Sequence, residues 1–152
     1  MDQMMLKNSF YEKTARARIQ AVVDTQSFNE ILKPTEVEVS PHLSALDIPG
    51  SFDDGVIIGT ARLNGTPVHI MAQEGQFMGG AVGEIHGAKI VGLLHKAIQD
   101  QAQAVLFFVD SGGVRLHEAN AGLIAISEIM RAMLQVWKGR TARNSRRALR
   151  IR

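Results

Sequence analysis

The sequence predicts an α/β domain of layered β-β-α units, and three observations carry that prediction. Two β-rich runs, 56–63 and 66–73, are separated by Asn64-Gly65 alone. A continuous apolar run, 104–109, ends in Asp110, Ser111 and two glycines. Helical periods follow each of these, over 83–100 and from about Asn120. Strands interleaved with helices in this way suit a layered α/β fold better than a sandwich. No internal repeat is present, and 152 residues suit one domain.

Taken in order, Ser9 and Glu12 have the spacing of a capping box, which predicts a helix over Phe10 to Val23. Asp24-Thr25-Gln26 breaks it. Ser27 and Glu30 repeat the cap spacing and predict a short second helix ending near Leu32. From Pro34 to Asp54 the chain holds three of its four prolines and has no clear period, so a surface loop is expected. Asn-Gly between two β-rich runs is a strong hairpin signal, because both turn residues take positive φ. Glu74 to Gly80 reads as a glycine loop. From Gly83 to Asp100 the period is helical, with Ile90, Leu93, Leu94, Ala97 and Ile98 on one side. The 104–109 run, rich in Val and Phe, is expected to form a strand buried on both faces. Ala121 to Leu134 is apolar on nearly all sides, the pattern of a buried helix.

After Trp137 the apolar pattern stops. Residues 138–152 carry seven basic side chains and no acidic one, and we expect a solvated, disordered tail. Setting those seven aside leaves 10 basic against 15 acidic residues over 1–137, a net of −5, although the whole chain is formally +2. The basic balance is therefore a property of the tail, and a nucleic-acid partner is not expected for the body. There are no cysteines, which removes disulfides, thiolate metal sites and a cysteine nucleophile. Neither a signal peptide nor a run of roughly 20 apolar residues is found, so no membrane partner and a cytoplasmic location are expected.

Two glycine clusters could carry chemistry. A buried strand ending in Gly112-Gly113 before a helix can present backbone N–H groups to a developing oxyanion, and it can equally be a tight structural turn. Ser111 is not in a G-x-S-x-G elbow and is a poor nucleophile candidate. The second cluster, Gly75 to Gly83, lacks the Lys-Ser/Thr of a P-loop and fails the G-x-G-x-x-G pattern. It remains a loop whose amides lie at a helix N-terminus, a favourable place for an anion or a thioester oxygen. His42, His69, His86, His95 and His117 show no metal-ligand spacing, so no metal site is expected. Arg115 could hold a substrate carboxylate or phosphate bidentately, or pair with Glu118 as scaffolding.

The segments VDSGGVRLHEANAGLIAISEIMRA, GQFMGGAVGEIHGAKIVGLLHKAI and TARARIQAVVDTQSFNEIL together resemble the carboxyltransferase family. They span roughly residues 13 to 134. Within that family the wording is most similar to the β subunits of malonate decarboxylase. The bacterial acetyl-CoA carboxylase β subunits are also similar, but they usually carry a four-cysteine zinc ribbon that is absent here.

The resemblance implies a crotonase-like fold of repeated β-β-α units and an enzyme that decarboxylates a malonyl thioester to an acetyl thioester. Implied partners are a homologous γ subunit, an α transferase subunit and an acyl carrier protein bearing a CoA-like prosthetic group, with no cofactor bound to this chain directly. It implies an oxyanion role for Gly112 and Gly113, and an acyl pocket shaped by Gly79 and Gly80, with Ser111 and Arg115 beside the substrate. His117 stands where the family often has Gln. The family's subunit is longer, continuing through further β-α units, which leads us to expect 1–137 to be an N-terminal part of the domain. Residues 138–152 are then a truncated or frame-shifted end. Such a fragment is expected to self-associate and to have little activity alone. The alternatives are a carboxyltransferase β subunit of a biotin-dependent acyl-CoA carboxylase, or a non-catalytic fragment whose basic tail contacts nucleic acid.

Overall fold

The computed structural model describes residues 9–33, 40–45 and 55–148. Its centre is the hairpin of β2 (Val56–Leu63) and β3 (Thr66–Gln73), paired antiparallel in full register from Val56 with Gln73 to Leu63 with Thr66. Asn64 and Gly65 both take positive φ (49° and 76°), as a two-residue hairpin turn requires. The Asp24 carboxylate fastens this turn by accepting from the N–H groups of Asn64 (2.8 Å) and Gly65 (2.7 Å).

Four strands lie in the order β1-β2-β3-β4, with β1 (Asn29–Ile31) antiparallel to β2 and β4 (Val105–Phe108) parallel to β3. A parallel neighbour needs a crossover. Here it is α3 (Glu84–Gln99), after the short α1 (Ala15–Val22) and α2 (Pro41–Ala45). On one face of the sheet, Ile57, Ala61, Val68, Ile70 and Ala72 pack on Ala15 and Ile19 of α1. On the other, Val56, Ile58 and Met71 pack on Ile90, Leu93 and Leu94 of α3 and on Ala132 of the last helix, α4 (Asn120–Ala148). Burial on both faces explains why the stretches 56–58 and 70–72 are apolar at successive positions rather than alternating.

Several elements differ from expectation. Residues 27–32 are not a helix. Asn29, Glu30 and Ile31 pair with Thr60, Gly59 and Ile58, and the Ser27 hydroxyl accepts from the N–H of Arg62 (3.1 Å) instead of capping a turn. The first predicted helix is two pieces. Ser9 caps a 3-10 turn at Phe10–Glu12, and Thr14 caps α1, accepting from the N–H of Ala17 (3.3 Å). The Glu74 carboxylate takes the N–H of Ala15 (3.0 Å), so a distant loop completes the start of α1. Within the expected loop 34–54, residues 41–45 are helical, and 34–39 and 46–54 lie outside the described residues.

The largest differences concern β4 and α4. All four residues of β4 are only half-buried, because β4 is the last strand of the sheet and has β3 as its only partner among the described residues. The helix α4 is buried on one side alone, through Gly122, Ala125 and Ala132. Gly87 of α3 lets the two helices approach there, since a Cβ at that position would strike the side chain of Ala125. Leu123, Ile124, Met130, Met133, Leu134 and Trp137 are exposed. The backbone of α4 continues past Trp137 to Ala148, beyond the point where the apolar pattern ends. No helix among the described residues is long and apolar enough to cross a membrane.

Candidate active site at the paired glycine turns

Because β3 and β4 are adjacent and parallel, the segments leaving their carboxyl ends emerge side by side, the usual position of a ligand crevice in α/β sheets. The segment after β3 runs 74–83 into α3, and the segment after β4 runs 109–119 into α4. They pair with each other. Gly112 N–H donates to Gly79 O (2.8 Å), Val82 N–H to Gly113 O (2.9 Å) and Arg115 N–H to Val82 O (2.9 Å), forming a parallel bridge between Val82 and Val114.

The glycines of the two turns are of two kinds. Gly80 and Gly112 are packing positions. A Cβ on Gly80 would run into the carbonyl oxygen of Asp110, and one on Gly112 would lie 2.6 Å from Gly79 O. Gly79 (φ +64°) and Gly113 (φ +116°) hold left-handed backbone with no heavy atom within 4 Å of a built Cβ. Main chain therefore lines an open space on both turns, and any atom seated there meets backbone directly.

The expected site residues are placed as follows. The N–H of Gly112 is taken by Gly79 O, and the N–H of Gly113 donates to the Ser111 hydroxyl (3.2 Å), so both expected oxyanion donors carry partners within the fold. Ser111 is exposed, and its hydroxyl also donates to Gly113 O (3.4 Å). Arg115 is not an exposed substrate anchor. It is 1% exposed, its Nη1 donates to Glu118 (2.7 Å) and its Nη2 to Ala81 O (3.1 Å), and it lies over the ring of Phe77. Glu118 is fully buried and also accepts the N–H of Glu84 at the start of α3. Of the two readings of Arg115, scaffolding is the one observed: the pair clamps the two turns together from below. A Cβ on Gly83 would strike the Arg115 guanidinium, so the glycine makes room for it.

Sequence reasoning missed a second polar device. Arg18, 6% exposed on α1, donates to the Asp110 carboxylate and through Nε to Lys13 O (2.8 Å). The Asp110 N–H donates to Gln73 Oε1 (3.0 Å), and the Gln73 amide reaches the fully buried His86 (3.1 Å). An open cleft of about 500 Å³ lies along this side, bordered by Arg18, Glu74, Gly75, Gln76 and Asp110. The available signal was Arg18 itself. It falls on the stripe of Ala15 and Ile19, where a helix packed on a sheet ordinarily carries apolar residues.

Two backbone-lined turns at the ends of neighbouring parallel strands of an α/β sheet are the defining geometry of the site. The carboxyl transferase domain matches residues 9–139, and the chain belongs to that family. Its fold is the crotonase-like carboxyltransferase fold. The chain is 38% identical over 136 residues to the malonyl-S-ACP:biotin-protein carboxyltransferase of Malonomonas rubra, covering 80% of this chain and 43% of that protein. It is 30% identical over 132 residues to the acetyl-coenzyme A carboxylase carboxyl transferase subunit beta of Endomicrobium trichonymphae, covering 85% and 48%. Among solved structures it is similar to a Pseudomonas malonate decarboxylase hetero-tetramer in complex with malonate, with a TM-score of 0.81 and 40% identity over 90% of this chain and 52% of the other. The chain thus spans about half the length of the relatives it matches.

Proposed function

We propose that this chain supplies the glycine-lined part of a malonyl-thioester site in a biotin-independent malonate decarboxylase. The C–C bond to the malonyl carboxylate breaks and carbon dioxide leaves. The electron pair moves onto the thioester oxygen as an enolate, and a proton added at the carbon gives the acetyl thioester. Charge develops on that oxygen only as the bond breaks, so N–H groups aimed at it stabilise the transition state more than the substrate. The donor we assign in the Gly112-Gly113 turn is the Gly113 N–H, that of Gly112 being committed to Gly79 O, with Gly79 and Gly80 shaping the acyl pocket. The Gly113 N–H is held only by an exposed serine hydroxyl, a partner that an arriving thioester oxygen can displace.

The observation that carries this reading is the open, left-handed pair Gly79 and Gly113 at the ends of adjacent parallel strands. Similarity to the malonate decarboxylase hetero-tetramer supports the substrate class. We assign the exposed apolar side of α4 and the outer edge of β4 to contacts with the rest of such an assembly: its γ and α subunits, the acyl carrier protein with its CoA-like group, or a second copy of this chain. We assign no part in the proposed chemistry to residues 140–152, which lie beyond the family match.

A second reading is favoured by the Malonomonas relative, whose name places a biotin protein as carboxyl acceptor. The two readings share the thioester and differ in where the carboxyl group goes. The test is to assemble the chain with decarboxylase partner subunits, supply malonyl carrier protein, and follow acetyl thioester with and without a biotin carrier protein. Formation without it supports decarboxylation, formation only with it supports transfer, and no consumption in either arm overturns both. Gly113→Val sets a side chain in the space assigned to the ligand. It keeps the backbone N–H but displaces the ligand and strains a φ of +116°, and should lower turnover by at least about 10²-fold, the cost of misplaced reacting geometry.

A further inference from the structure

We propose that Asp110, anchored by Arg18, is the positioning residue that sets the Gly112-Gly113 turn against the Gly79-Gly80 turn. This rests on the functional reading above. Asp110 lies two residues beyond the end of β4 at Phe108, and its N–H and its carboxylate are both held. Its N–H donates to Gln73 (3.0 Å), its carboxylate accepts from Arg18 and lies where a Cβ on Gly75 would be, and its carbonyl oxygen abuts Gly80. Two glycines of the 74–83 segment, Gly75 and Gly80, are therefore fitted around this one residue of the other segment, and neither tolerates a side chain at the contact. Gln73 ends β3 and leans on His86 in the first turn of α3, so the strand and helix flanking the other turn share the same anchor.

The position of Arg18 points the same way. Burying a guanidinium on the packed side of an eight-residue helix is unfavourable unless its donors are satisfied, and a hydrophobic residue in that place often serves stability as well. Here the donors go to Lys13 O and to a carboxylate 92 residues away in sequence. What the arrangement secures is location: the turn two residues downstream of Asp110 can shift only if this pair opens. Misplacing reacting geometry by about 1 Å can cost on the order of 10²-fold in rate, so a fixed anchor bears directly on turnover. Arg18 and Asp110 touch no reacting atom in this scheme and act through Gly112 and Gly113.

The experiment compares Arg18→Gln, Arg18→Lys, Asp110→Asn and the Arg18→Gln/Asp110→Asn double variant, each in the assembled enzyme with malonyl carrier protein, alongside amide hydrogen exchange of this chain. Arg18→Gln should exchange the Asp110 and Gly112 amides at least about 10-fold faster while the β2–β3 hairpin keeps its protection. Its kcat should fall by roughly 10²-fold with KM within about 3-fold. Arg18→Lys, which keeps a cation, should recover part of the loss, and the double variant should be no worse than either single one. Unchanged exchange at Asp110 and Gly112, additive losses, or hairpin deprotection in all three single variants overturns the proposal. If the unaltered enzyme consumes no malonyl thioester, the functional reading fails, and the exchange measurements still decide whether Arg18 anchors the turn.

Discussion

The β2–β3 hairpin and the β4–α4 unit are built from equally apolar sequence and end in very different surroundings. Val56, Ile57, Ile58, Ile70 and Met71 are 0–3% exposed, covered by α1 on one face and by α3 with α4 on the other. In the β4–α4 unit the strand is half-buried, and Leu123, Leu134 and Trp137 of the helix are 54%, 57% and 65% exposed. The hairpin has a layer on each side. Helix α4 has one, on the side where Ala125 and Ala132 meet α3 and Gly122 meets Val82 and Val114, while β4 packs into both faces and has a strand partner on one edge alone among the described residues. The comparison teaches that an apolar run states how much burial a segment can use, while the elements around it decide how much it receives. An exposed apolar stripe on one helix is a surface suited to packing.

The contact between the two regions is where the largest effect is expected. Arg115→Met leaves Glu118 buried without its cation, and breaking such a pair costs about 3–5 kcal/mol. Urea unfolding followed by circular dichroism should show that loss, and a change within about 0.5 kcal/mol, the ordinary surface value, would remove the clamp from the account. Next come matched truncations across the parallel pair Ile70 and Leu106. Ile70→Ala, in the fully buried strand, should cost about 2–5 kcal/mol, and Leu106→Ala clearly less because its strand is only half-covered. Equal costs would mean that β4 is as enclosed as β3 and would erase the distinction.

On the exposed side of α4 the expected stability change is smaller. Leu123→Asn with Leu134→Asn should alter unfolding free energy by less than about 1 kcal/mol, as surface substitutions do. The same pair should lower association measured by sedimentation velocity. If association is untouched, the apolar side of α4 is not the contact assigned to it above.

How much of this could be read from the sequence depended on distance along the chain. The hairpin was legible because its signal, Asn64-Gly65, is local and chemical. The crossover helix was legible because Ile90, Leu93, Leu94 and Ala97 repeat at helical spacing and are buried as that spacing implies. Residues 27–32 were misread because the pairing with Thr60, Gly59 and Ile58 outweighs a cap spacing, and pairing with a partner thirty residues on leaves no local mark. The two glycine clusters were each visible, but their joining through Val82 and Val114 required the parallel register of β3 and β4. Arg115 could be read two ways because its burial depends on Gly83 making room and on Glu118 being fully covered. Arg18 was marked only by its place on the stripe of Ala15 and Ile19, and its pairing with Asp110, 92 residues on, left no local sign.

The smallest predicted effect is at the opposite end of β4 from the glycine turns, where the two regions are joined a second time. The N–H of His69 on β3 donates to Ala104 O (3.0 Å), and His69 Nε2 lies 2.8 Å from the carboxylate of Asp100, which follows α3. Lys96 lies 2.9 Å from the same carboxylate oxygen. The Lys96 hydrogen bond, and after it that of His69, hold the Asp100 carboxyl below its usual range. A carboxyl depressed in the folded state contributes stability above the unfolded-state pKa, and that contribution is lost as pH falls through the folded value. Asp100→Asn should therefore be less stable than the unaltered chain near neutral pH, with the gap closing as the pH drops below the ordinary aspartate range. Lys96→Gln should narrow that gap more than His69→Gln, since the lysine is the larger cause. A gap that stays constant down to the lowest pH would assign Asp100 a role in packing rather than in charge.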